Sequence, residues 1–180
     1  MKNRSLFVAT AVGVLTVGIA LPATAATGGT TSATVTVVGG ALAITVPVGV
    51  ADLGTRVNTV GGGTISGQLG QVQVSDARSA AAGSGWVASV ISTAFTPATG
   101  PAIAASAVSY DADSAGLIAK VGTATYTCIN QLDLTGVVAA VTATGITGDN
   151  SATWDPTITV NIPGGIAAGV YSATITHSVL

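Results

Sequence analysis

Glutamate is absent from this 180-residue chain, and charge of either sign is scarce. Seven Asp and five Lys or Arg make up 7% of the residues and leave a formal charge of −2. Nucleic-acid binding needs clustered Lys and Arg to neutralise phosphates, so cations this few and this scattered argue against it. Without Glu, the abundant Ala, Val, Thr and Gly are poor material for long solvent-facing helices. With 48% of residues apolar, a solvated disordered chain is also disfavoured. The single His and single Cys are too few for a structural zinc site, and an unpaired Cys128 permits no internal disulfide. No cofactor is implied. The length suits one domain with one core, and the composition shifts the expectation to an all-β protein.

What is present begins with an address. Lys2 and Arg4 precede an apolar stretch from Leu6 to Leu21, followed by Pro22-Ala23-Thr24-Ala25-Ala26. This reads as a secretory signal peptide over residues 1–25, cleaved after Ala25 or Ala26, because signal peptidase accepts small side chains at Ala23 and Ala25. The stretch is short and Thr-interrupted for a spanning helix, so no membrane anchor is expected after cleavage. The residues up to Leu180 show no hydrophobic tail or basic stop, so retention at the cell is expected to be non-covalent. Loss of Lys2 and Arg4 with the leader takes the formal charge from −2 to −4. Anionic wall polymers would weakly repel such a domain, which favours recognition of neutral groups.

Along residues 26–180, period-2 alternation recurs between Gly-rich breaks. Candidate strands are 33–38, with Val35 and Val37 on one face, and 41–46, with Leu42, Ile44 and Val46 on one face. Gly39-Gly40 between them suggests a tight turn or bulge. After a Gly- and Asn-bearing loop over 52–63, residues 71–75 place Val72 and Val74 inward and Gln71 and Gln73 outward. Further strands are expected over 86–95, 102–110, 121–129, 137–144, 157–162 and 170–180, with the Ala content of 102–119 also permitting a helical turn. Eight to ten short turn-separated strands fit a single antiparallel β-sandwich of Ig-like, Greek-key type.

Few residues could carry chemistry. His177 is the sole candidate for a catalytic base, and its parity with Tyr171, Ala173, Ile175 and Val179 predicts a half-buried position on the last strand with a local hydrogen bond. Cys128 reads as a small buried hydrophobe rather than a reactive thiol. A paired-Asp hydrolase is numerically allowed, but loops are where Asp residues ordinarily sit. Asp111-Ala112-Asp113-Ser114-Ala115-Gly116 opens like a calcium loop yet lacks the closing Glu, which leaves Asp111 and Asp113 a weak calcium candidate.

The two Trp segments have a recognisable order. The first runs Val72-Gln73-Val74-Ser75-Asp76-Ala77-Arg78, then a short Ala/Gly loop, then Gly85-Trp86-Val87-Ala88-Ser89-Val90. The second begins Trp154-Asp155-Pro156, reaches Pro163 through Thr157–Ile162, and ends Gly169-Val170-Tyr171-Ser172-Ala173-Thr174-Ile175-Thr176-His177-Ser178-Val179. Over almost all of residues 26–180 this order resembles the WxL-domain family of Gram-positive cell-surface proteins, in a divergent, actinobacterial-like form. Where that family has Trp-x-Leu twice, this chain has Trp86-Val87-Ala88 and His177-Ser178-Val179. The resemblance implies a secreted, non-catalytic domain kept at the cell wall by non-covalent peptidoglycan binding. It singles out Asp76, Arg78, Gly85, Trp86, Trp154, Pro156, Pro163, Gly169, Tyr171 and His177. Asp76 and Arg78, at i and i+2, share a face and can pair. Each Trp is either a core ring or a platform for sugar. The expected partner is a wall glycan or another exported surface protein. The alternative is a structural or adhesive subunit that assembles, with itself or with another exported protein, through sheet edges poor in Lys.

Overall fold

The computed structural model describes residues 31–113 and 115–180. The proposed signal peptide and Ser114 lie outside them. Residues 31–36, in the unit Met1–Thr36, carry no secondary structure and are exposed. Residues Val37–Leu180 form the second unit, and it is built from β-strands.

The strands are β1 (Leu42–Thr45), β2 (Gly63–Gln68), β3 (Val72–Ser92), β4 (Thr96–Pro97), β5 (Val108–Asp111), β6 (Leu117–Cys128), β7 (Val138–Trp154), β8 (Thr157–Ile162), β9 (Tyr171–Ser172) and β10 (Ile175–Val179). All pairings are antiparallel. The larger sheet runs β1-β3-β7-β6, and β10 shares with β1 the second edge of β3. On that edge β1 lies along Gln73–Asp76 and β10 along Ala88–Ser92. A three-stranded sheet has the order β2-β8-β5, and β4-β9 forms a small ladder. The molecule is therefore an antiparallel β-sandwich.

Alternation explains which faces meet. Val72, Val74, Trp86, Ala88 and Val90 of β3, with Val141, Ala143, Ala152 and Trp154 of β7, are buried. Val108 and Tyr110 of β5 and Ile158 and Val160 of β8 complete the same hydrophobic cluster. Gln71 and Gln73 face outward, as their parity requires. Removal of this apolar area from water is the main force holding the sheets together.

Several boundaries differ from the sequence reading. The Ala/Gly stretch after Arg78 is not a loop: β3 runs through it, irregularly, with register shifts against β7 and Ser79 at φ 54°. Ladder partners on β7, such as Gly148 opposite Ala80, hold small residues that have no alternation of their own. For the same reason β7 extends beyond Thr144 to Trp154. Residues 102–110 form a 3-10 turn at Ala105–Ala107 before β5, in keeping with the helical option. The last strand is split into β9 and β10. Residues 33–38 form no strand, and Val35 and Val37 are exposed. Gly39-Gly40 is neither turn nor bulge but a close approach to β3: a Cβ on Gly39 would lie 2.8 Å from the Arg78 carbonyl oxygen, and the Gly40 N–H donates to the Ala77 carbonyl.

Candidate functional site

The sequence-selected residues gather into two buried polar chains and one cleft. In the first chain, Asp76 is almost fully buried on the inner face of β3. Arg78 reaches it with two parallel bonds, Nε to Oδ1 and Nη2 to Oδ2, both 2.8 Å, and Nη2 also donates to the Gly85 carbonyl at 3.2 Å. Asn150 of β7 donates from Nδ2 to Asp76 Oδ2 at 3.3 Å and accepts the Trp86 indole N–H at 2.9 Å. The register places Asn150 directly opposite Asp76. The Arg78 hydrogen bonds hold the Asp76 carboxyl down at about 2 against the opposing effect of burial. Trp86 also meets the Tyr126 ring at a centroid distance of 5.9 Å. Asp76, Arg78, Gly85 and Trp86 thus form one structural unit.

In the second chain, the Trp154 indole N–H donates to the Tyr110 hydroxyl at 2.8 Å, and that hydroxyl lies 3.1 Å from His177 Nε2. An indole can only donate, so the Tyr110 oxygen accepts there and its own proton is left available to donate to His177 Nε2. Burial pushes the His177 pKa down to about 4, in agreement with a neutral ring. His177 is half-buried, as its parity predicts, but its partner is distant in sequence rather than local. Both indoles lie in the core, so neither Trp86 nor Trp154 offers a face for stacking on sugar.

His177, Tyr171 and Gly169 line a cleft of about 1140 Å3. Its other walls come from the loop over 46–59, from Phe95 and Ile103, and from residues 162–175. Buried Ile103, Val160 and Ile166 form its apolar depth, while Val48, Val50, Val57 and Val170 are exposed around it. The loop is tied by its polar residues. Asn58 donates to the Ile166 carbonyl, and Arg56 donates to the carbonyls of Gly62 and Thr64. Tyr171 donates to the Ala167 carbonyl at 2.9 Å. Pro156 and Pro163 flank β8, and the Pro156 carbonyl accepts the Leu69 N–H.

The remaining polar candidates bond to backbone, some locally and some between distant segments. Asp111 Oδ1 accepts the Asp113 N–H at 2.9 Å, an Asx turn, and among the described residues no three His, Cys or Asp side chains converge. Asp52, Asp133, Asp149 and Asp155 each accept a backbone N–H. Cys128 is half-buried, and burial raises its thiol pKa. Sequence reasoning missed Asn150 and Tyr110, the two groups that join the others. An Asn within a strand is unusual enough to have been a signal, since Asn is depleted there. Tyr110 carried none. No family model, curated protein or solved structure matches the chain.

Proposed function

We propose that this is a secreted, non-catalytic cell-surface protein held non-covalently at the cell wall, a peptidoglycan-associated domain of WxL type, and that the cleft is its contact surface. The observation that carries the reading is the cleft itself. It combines an apolar interior with Tyr171, Asn58, Thr55 and Thr174 in its lining, a composition suited to a neutral, partly apolar ligand. Its one Arg is already bonded to backbone carbonyls. The single imidazole is hydrogen-bonded to Tyr110 and held neutral by burial, which supports a binding role over a catalytic one.

Co-sedimentation of the folded protein with isolated Gram-positive walls tests this. Wild type is expected to pellet. Val48→Asp with Val170→Asp, which place charge at exposed lining positions without touching the core, are expected to leave it in the supernatant. Folded wild type that stays in the supernatant overturns the reading.

A second reading, a structural subunit assembling through sheet edges, is supported by the larger sheet. Among the described residues neither β6 nor the β1 and β10 side of that sheet has a further strand against it.

A further inference from the structure

We propose that the cleft takes the alkyl chain of an uncharged lipid at the cell surface; this rests on the reading of the cleft as the contact surface and names its ligand class. The first ground is the lining. Apart from Phe95 and Tyr171, its apolar members among the described residues are Val, Leu, Ile, Ala and Pro. Ile103, Val160 and Ile166 are buried in its depth, and Leu53, Leu69 and Ile175 are partly buried against the same core. Trp86 and Trp154 are both taken up in the core and line none of it. Large rings with a polar handle, the surface that suits a sugar, are thus missing but for Tyr171. Branched aliphatic walls suit a flexible chain of methylenes instead.

The second ground is that polar groups of the lining already have partners. Asn58 donates to the Ile166 carbonyl, Thr59 to the Gly62 carbonyl at 2.6 Å, and Tyr171 to the Ala167 carbonyl at 2.9 Å. Backbone groups are closed too: Phe95 and Ile103 exchange bonds of 2.8 and 2.9 Å, and β8 is paired on both sides, by β2 and β5. A peptide would bring N–H and C=O groups into this depth, and a glycan its hydroxyls, with few open partners to meet them. An alkyl chain brings no such group and gains with every methylene withdrawn from water.

Charge decides the headgroup. Asp52, Arg56 and His177 are the acidic and basic side chains of the lining among the described residues. Asp52 accepts the Gly54 N–H at 2.9 Å, Arg56 donates to the carbonyls of Gly62 and Thr64, and His177 is bonded to Tyr110 and held neutral by burial. One carboxylate and one guanidinium, each engaged by the protein's own backbone, favour neither an anionic nor a cationic head. The size agrees. At about 1140 Å3 the cleft exceeds the roughly 300–1,000 Å3 usual for ligand sites, which leaves room for an extended chain. Val48 and Val50, 98% and 99% exposed in its lining, are apolar surface that a bound chain covers.

Isothermal titration of the folded protein with n-alkyl maltosides from hexyl to decyl, kept below their micelle concentrations, tests this. Each added methylene is expected to tighten binding about fourfold until the cleft is filled, and maltose itself is expected not to bind. His177 is the only imidazole in the chain and lines the cleft, so its proton resonances locate the site. They are expected to shift on titration with decyl maltoside. In parallel, pelleting is measured with isolated walls before and after chloroform–methanol extraction, which is expected to remove most of it. An affinity indifferent to chain length, maltose binding as tightly as its alkyl forms, or unmoved His177 resonances overturn the proposal. If extracted walls still pellet the protein undiminished, the lipid assignment falls while the wall-contact reading stands. If the alkyl series is steep but neither wall preparation pellets the protein, the wall-contact reading falls and the ligand class of the cleft stands.

Discussion

Asn150 joins Trp86 to Asp76, and without it the buried Trp86 indole N–H would have no partner. Its Oδ1 takes the Trp86 indole N–H and its Nδ2 reaches Asp76. Asn150→Ala is expected to cost about 2–3 kcal/mol in urea unfolding, because a buried indole N–H loses its acceptor. His177 gives stability a pH dependence. Its pKa is about 4 in the fold and 6.5 when unconstrained, so between those values the unfolded chain binds more protons. The His177 contribution is complete above pH 6.5 and falls as pH drops toward 4, by on the order of 3 kcal/mol at most. His177→Gln keeps an acceptor for Tyr110 but cannot titrate, so its unfolding free energy is expected to be flatter across that window. Asp76 acts lower, its stabilising effect fading as pH falls from 3.8 through about 2.

At the scale of elements, β3 and β7 form the spine, and β6 depends on β7 for every ladder bond it makes. The ladder between β6 and β7 shifts register around Gly122, which has φ +82° and lies where a Cβ would run into the Asp149 carbonyl. Gly122→Ala is expected to destabilise by about 2 kcal/mol or more, read as a lower urea midpoint, since both strain and a backbone clash are introduced. Trp86→Ala is expected to cost about 4 kcal/mol through a core cavity, so loss of wall binding in that variant would report unfolding rather than a removed contact. The strand β8 was readable from its sequence to the residue, Thr157–Ile162, because its Ile and Val alternate against Thr and Asn. The middle of β3 was not, because Ser, Ala and Gly carry no alternation and their partners lie some 70 positions away on β7.

For the whole molecule, the low charge decides how binding should respond to salt. Beyond residue 25, Arg56, Arg78 and Lys120 are the only Lys or Arg, and Arg78 is bonded to Asp76. Wall pelleting through an apolar cleft is therefore expected to be unchanged when ionic strength rises about tenfold, a change that would screen an ion-exchange contact. A sharp fall in the pelleted fraction would point to charge instead of the cleft.

The sequence by itself determined the class of the molecule: period-2 alternation between Gly-rich breaks requires sheets. It also allowed Asp76 and Arg78 to pair, since residues i and i+2 share a face of a strand, and the structure shows that they do. Only the tertiary structure decided that both Trp rings are core, that Tyr110 and Asn150 are the groups they bond, and that Tyr171 and His177 share a cleft with the loop over 46–59. The physical reason is the range of the interactions. Alternation is local and can be read along a chain, whereas a hydrogen bond between strands 64 or 67 residues apart exists only once sheet order and register have brought them together.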